Sequence, residues 1–249
     1  MNGKPRLICC VLIVVVLDTA LLVQVGGAPR KSVPPILKLK VGPFALRDAS
    51  MDEALRELRK KNKEKILIGF AEVAHAEGTH EGMITLDMDD TTVGSILDNL
   101  VKADPRYTYT TDRSVINVLP RTGGGYPADL LHIRIRTFAF HGKDLPENLI
   151  AQIPGLAPEL HLALKRKELQ YAAQHNMPVP GTAGSTLSGG SEPQINLELR
   201  NMTVREVLNS ILIYSQKNLN RVPIGWKYEF IIDPNAPTGL GGYPRWHAF

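Results

Sequence analysis

Two stretches of this chain carry the same pattern of apolar and polar positions. Ile84-Thr-Leu-Asp-Met-Asp-Asp-Thr-Thr-Val-Gly-Ser-Ile-Leu-Asp-Asn-Leu-Val101 aligns without a gap with Ile195-Asn-Leu-Glu-Leu-Arg-Asn-Met-Thr-Val-Arg-Glu-Val-Leu-Asn-Ser-Ile-Leu212. Ile84, Leu86, Met88 and Ile195, Leu197, Leu199 alternate with polar residues, and a period of two means a strand with one buried face. The period then changes: Val93, Ile96, Leu97, Leu100 and Val204, Val207, Leu208, Ile211 recur at helical spacing. Thr203 followed by Glu206 reads as a capping box, and Thr92 with Ser95 as a weaker version.

A second match lies upstream, between Phe44–Leu55 and Phe138–Leu149. Ser50 with Glu53, and Asp144 with Glu147, predict a helix start at the same point in both, with Pro146 in the first turn where its missing donor costs little. After each helix comes a short apolar run, Ile66–Phe70 and Leu160–Leu164, predicted as buried strands. A third match pairs Arg121–Pro127 with Pro237–Pro244, each ending in Gly-Gly-Tyr-Pro. Three matches in one order indicate a duplication. The first copy closes with a predicted hairpin turning around Thr111-Asp112-Arg113, and the second with Trp226–Ile232, which has no evident turn. Lys165–Gln174 is predicted as an extra helix.

The predicted fold class is therefore α+β: two tandem small βαββαβ units, each with two helices packed between small β-sheets and each closing around its own core. The expected boundaries are a signal peptide at 1–28, a linker at 29–38, a first domain at 39–120 and a Gly-rich linker at 121–130. A second domain follows at 131–234, with a flexible loop at 176–194 rich in Pro, Gly, Ser and Thr, and then a C-terminal tail at 235–249.

Bulk composition narrows the function classes. Hydrophobic residues at 43% and charged residues at 22% of 249 suit a folded globular protein. The net charge is +4, and removing residues 1–28, with Lys4, Arg6 and Asp18, takes it to +3. That excess is too small to argue for nucleic acid. The basic run from Arg59 to Lys65 ends a helical pattern, where cations complement the helix dipole on a solvated face. Lys4 and Arg6 precede an apolar run from Leu7 to Val25, and Gly26-Gly27-Ala28 follows, which are the parts of a secretory signal. Uncleaved, this segment would be the chain's one membrane contact, although Asp18 would be costly there. Both cysteines, Cys9 and Cys10, fall inside it, so the mature chain is expected to carry neither disulfide nor thiol.

Phe44–Leu119 resembles the short N-terminal domain shared by secretins and TonB-dependent receptors: an amphipathic helix, an apolar strand, an alternating strand of the Ile84-Thr-Leu-Asp-Met type, a helix opening like Thr92-Val-Gly-Ser-Ile-Leu, and a closing hairpin. Ile133–Ile232 resembles a divergent relative. The resemblance implies two helices between two small sheets. It also implies a periplasmic or outer-membrane-associated domain that docks to another envelope protein, of the secretin, TonB-dependent receptor or anti-sigma regulator class. No pore segment or receptor barrel is read beyond it, so a channel role is not expected.

No residue pattern specifies a reaction, so the chain is expected not to be an enzyme and to take no cofactor. His75, His80 and Glu81 are weak metal-ligand candidates, since their spacing matches no helical ligand pair. They would serve a metal hydrolase if one existed here. His141 and His161 have no obvious acidic partner. Alternation turns Asp87 and Asp89 to a solvent face. Tyr126 and Tyr243, in the Gly-Gly-Tyr-Pro segments, are partner-binding candidates, because tyrosine offers large contact area with few rotors. With Trp246 they would also suit a small ligand or cell-wall glycan. Ile133-Arg-Ile-Arg-Thr137 is the candidate docking edge, with Ile133 and Ile135 as its apolar positions.

Overall fold

The computed structural model describes residues 33–62, 65–73, 75–76, 83–121, 130–175, 192–219, 225–232 and 242–249. The expected signal segment and most of the 176–194 loop lie outside these residues. Among the described residues no helix is long and apolar enough to cross a membrane.

The alternating segments form two outer sheets of two strands each. Strand β1 (Lys40–Ala49) pairs antiparallel with β4 (Ile84–Thr92), and β7 (Arg134–Lys143) with β8 (Gln194–Thr203). Their registers coincide at matched positions. Phe44 faces Met88 and Leu46 faces Leu86; Phe138 faces Leu199 and Phe140 faces Leu197. The Val93 N–H donates to the Leu39 carbonyl at 2.9 Å, as the Val204 N–H does to Ile133 at 2.9 Å.

Helix starts follow their caps. Helix α1 (Met51–Lys61) opens on the Ser50–Glu53 capping box, and α5 (Val204–Asn218) on Thr203–Glu206. Glu206 sits below its ordinary pKa, chiefly because its carboxylate accepts the Thr203 backbone N–H. Thr92 caps α2 (Val93–Ala103) by accepting from the Ser95 N–H. In α3 (Pro146–Leu156) the cap moves from the predicted Asp144 to Leu145. Pro146 holds the residue before it in extended backbone, while Asp144 accepts from the Leu145 N–H and the Asn148 amide instead, both at 2.7 Å.

The third sheet is shared. Its order is β10-β9-β2-β6-β5, built from β2 (Leu67–Ala71), β5 (Tyr107–Asp112), β6 (Val115–Pro120), β9 (Trp226–Ile232) and β10 (Gly242–Ala248), with the short β3 (His75–Ala76) beside β9. Strand β2 runs parallel to β6 on one side and parallel to β9 on the other. The β5–β6 hairpin turns at Arg113-Ser114, one step later than predicted, with Arg113 in the left-handed region at φ 56°. Residues 242–248, expected within a tail, form an antiparallel strand against β9.

Leu160–Leu164, predicted as a strand, is helical instead. It lies in α4 (Pro158–His175), which presents Leu160 to the core and leaves His161 and Leu162 exposed. Pro158 suits a first helical turn, and Leu-Lys-Arg-Lys-Glu-Leu beyond it are strong helix formers, so local propensity overrides the apolar run. Among the described residues the second half thus has no strand of its own in that slot, and its β9 pairs with β2 of the first half.

The central sheet is covered on both faces. Ile66, Ile68, Phe70, Ile116 and Val118 join Leu55, Leu58, Ile96, Leu97 and Phe44 in one core. Leu67, Ala71 and Val115 join Trp226, Ile150, Ile153, Leu208 and Phe138 in the other. The layers run outer sheet, α1 and α2, central sheet, α3 and α5, outer sheet. The expectation that each half closes around its own core is corrected here, because the second core is roofed partly by first-half residues.

Gly69 marks the junction, standing opposite Trp226 in the ladder. A Cβ added at Gly69 would come within 2.2 Å of the Trp226 ring, so only hydrogen lets the indole lie there. Trp226 Nε1 donates to Asn209 of α5 at 2.9 Å, and Asn209 Nδ2 donates to Asp112 at the first-half hairpin tip at 3.2 Å. Gly69→Ala should therefore destabilise the whole chain by about 3 kcal/mol, at the upper end of overpacking costs, read as a lower urea midpoint. An unchanged midpoint would contradict this junction.

Candidate functional site

The feature richest in chemistry lies where α1 covers the β9–β10 ribbon. On β9, Trp226 and Tyr228 face one core, so Lys227 and Glu229 face α1 by alternation. The Lys227 side chain is only 8% exposed, and its Nζ stands 2.7 Å from Glu72, 3.1 Å from Glu229 and 3.3 Å from Asp52. Asp52 in turn accepts from Arg56 one turn along α1 at 3.1 Å. Across the ladder, Arg245 and His247 approach Glu229 at 3.9 and 3.8 Å. The Phe249 ring lies against Arg56 and Arg59, whose guanidinium carbons are 5.2 and 5.3 Å from its centroid. Arg59 also donates to the Phe249 carbonyl. Arg59 is buried, which corrects the solvated-face reading at that position, while Lys60 remains exposed.

Burial works to lower the Lys227 pKa, but the Glu72 hydrogen bond and the charges of Asp52, Glu72 and Glu229 outweigh it, so the ammonium is held above its ordinary range. Burial would raise Glu229, and the Lys227 charge and hydrogen bond overcome this to hold it low. Burial keeps His247 below its ordinary value, with Glu229 opposing and Lys227 assisting. An amine held protonated among three carboxylates is not available as a nucleophile. The arrangement is an ionic clamp joining α1 and Glu72 to β9.

The sequence-predicted residues are scattered. His80, Glu81 and Tyr126 lie outside the described residues. His75 enters β3 opposite Ile231, and Tyr243 enters β10 opposite the same residue, with both side chains outside the described set. Among the described residues no group of three or more His, Cys, Asp or Glu is placed to hold a metal ion. Trp246 is buried, its ring 4.2 Å from Tyr228. Ile135 faces the core at 1% exposure, so it does not offer its side chain to a partner, while Ile133 is half-buried and packs against the same core. His141 has an acidic neighbour after all, Glu198 at 3.8 Å.

The outer strands differ in how their open edges are treated. On β7 the Arg136 N–H donates to the Glu159 carboxylate at 3.2 Å, so α4 closes the predicted docking edge. On β8 the Asn196 N–H donates to the Tyr214 hydroxyl at 3.1 Å. On β1, Pro43 has no N–H and the register shifts on both sides of Gly42, which has φ 77°. Strand β4 carries one, an extra residue at Asp89–Asp90 between the positions facing Gly42 and Phe44, while its Ile84–Met88 segment has neither proline nor a helix-borne cap among the described residues. Its Asp87 and Asp89 are exposed, as alternation predicts, with no cationic partner among the described residues.

No protein-family model, no curated protein and no solved structure matches the chain.

The clamp was missed from sequence for a definable reason. Trp226-Lys-Tyr-Glu-Phe alternates like a half-exposed strand, and nothing local says that α1 covers the polar face. Lys227→Met should cost about 3–5 kcal/mol by leaving Asp52, Glu72 and Glu229 mutually repelling, measured by urea unfolding at neutral pH. A wild-type midpoint would refute the clamp.

The pH dependence has a definite sign. Unfolded His247 and Glu229 take up protons near their ordinary values of 6.5 and 4.5, which the folded groups refuse. Stability is therefore lost as pH falls from 6.5 through the folded values. Lys227 adds stability that is full below 10.5 and lost as pH rises through its raised folded value. The melting temperature should plateau between these limits, and a maximum below pH 5 would contradict the assignment.

Proposed function

We propose that this chain is an exported, non-catalytic docking module of the cell envelope, of the kind its resemblance to the secretin and TonB short N-terminal domain implies. The two outer sheets carry this reading. They flank the molecule as two-stranded ladders that no third strand extends among the described residues. Isolated two-stranded sheets leave backbone groups that a partner's extended segment can pair. The ionic clamp and the shared sheet serve rigidity, so they hold those ladders at fixed positions. The partner is a secretin, a TonB-dependent receptor or an anti-sigma-type regulator, met outside the cytoplasm, with nucleic acid playing no part.

Site-specific photo-cross-linking in the native host tests this. A photoreactive residue placed at exposed outer-sheet positions such as Thr85, Asp87 or Glu198 should give a discrete adduct containing a protein of one of those classes, identified by mass spectrometry. The same probe at Lys102, on the exposed face of α2, should not. Adducts absent from every outer-sheet position would overturn the reading.

A further inference from the structure

We infer that β4 is the docking edge, and that its occupant is an extended segment of a partner protein with cationic side chains at alternate positions, added as a third strand of the β1–β4 sheet. This rests on the docking reading above and names the surface and the partner's chemistry.

Comparison of matched positions singles out β4. Strands β4 and β8 hold the same register at the centre of their sheets, where Leu86 and Met88 face Leu46 and Phe44 as Leu197 and Leu199 face Phe140 and Phe138, and the first sheet shifts register on either side. In the second half, Tyr214 takes up the outward Asn196 N–H. The position matching Asn196 is Thr85, and the position matching Tyr214 is Ala103, an exposed residue with no hydroxyl to offer. The N–H that tyrosine caps in one half therefore has no such cap in the other among the described residues. Glu159 closes β7, Pro43 and register shifts interrupt β1, and on β4 the extra residue at Asp89–Asp90 leaves Thr85–Met88 as the open segment. Natural sheets commonly guard edges with such devices or with charges directed against self-pairing.

The charge on β4 then selects the occupant. Leu86 and Met88 pack inward against the core, so Thr85 and Asp87 line the outward face, and Asp89, in the extra residue beyond Met88, is exposed beside them. Asp90 is matched by Lys40 at 3.5 Å, whereas Asp87 and Asp89 have no cationic partner among the described residues. A strand laid beside β4 places its alternate side chains next to these two carboxylates, where cations are favoured and like charges disfavoured. A second copy's own β4 is thereby disfavoured, since it would bring the same carboxylates.

The test uses the full chain and a short capped peptide alternating Lys and Val, with a Glu-Val peptide as control, read by fluorescence anisotropy at low salt. The Lys-Val peptide should bind, and the Glu-Val peptide should not. Asp87→Asn with Asp89→Asn should weaken binding about tenfold, as expected for two exposed ion pairs. Ala103→Tyr, which installs the second half's cap on an exposed helix face, should abolish binding while leaving the melting temperature unchanged. Should Ala103→Tyr unfold the chain, Thr85→Pro supplies the same block from the edge strand itself. Binding of both peptides alike, or binding that survives the cap, overturns the β4 assignment. Absence of any peptide binding, with outer-sheet cross-links still forming in the host, overturns it too and leaves the docking reading standing.

Discussion

Strand β2 is hydrogen-bonded in parallel on both sides, to β6 along one edge and to β9 along the other, and every other layer is stacked on the sheet this creates. Parallel strands need both faces covered, and here the two halves each cover one. Ile68 and Phe70 point to α1 and α2, while Leu67 and Ala71 point to the second half's helices. The arrangement tolerates little at Gly69, because the Trp226 ring occupies the space a side chain would take. Burying a whole indole with its N–H satisfied by Asn209 is a large apolar gain at no polar cost.

The ionic clamp follows from that geometry. Bringing β9 beside β2 carries Lys227 and Glu229 under α1, where burial would be costly for an isolated charge. Asp52, Glu72 and Glu229 around one ammonium make the burial tolerable and tie α1 to β9. Phe249, between Arg56 and Arg59, and the paired Gly225–Phe249 backbone bonds secure the end of that ribbon. The Tyr107 hydroxyl contributes on the same face. Burial holds its pKa above the ordinary value while it accepts the Val73 N–H at 3.1 Å.

Much of the local structure was legible because it rests on local physics. Period-two alternation located β4 and β8, helical periodicity located α2 and α5, and the capping boxes at Ser50 and Thr203 set helix starts to the residue. The α+β class followed from these. What failed lay outside the window in which each segment was read. Leu160–Leu164 is a short apolar run like Ile66–Phe70, and Pro158 before it and the helix-forming run after it decide its fate. Strand β10 escaped notice because Gly-Tyr-Pro-Arg-Trp-His-Ala carries no clean alternation and takes its shape from β9. For the candidate site, Asp87 and Asp89 were readable as a solvent face. The closing of β7 by Glu159 and of β8 by Tyr214 was not, since both caps come from helices packed from elsewhere.

The sharing of β2 makes the two halves one cooperative body rather than two domains on a string. Differential scanning calorimetry of the chain at neutral pH addresses this directly. The account predicts a single transition whose calorimetric and van't Hoff enthalpies agree. Two resolved transitions, each with its own enthalpy, would contradict it.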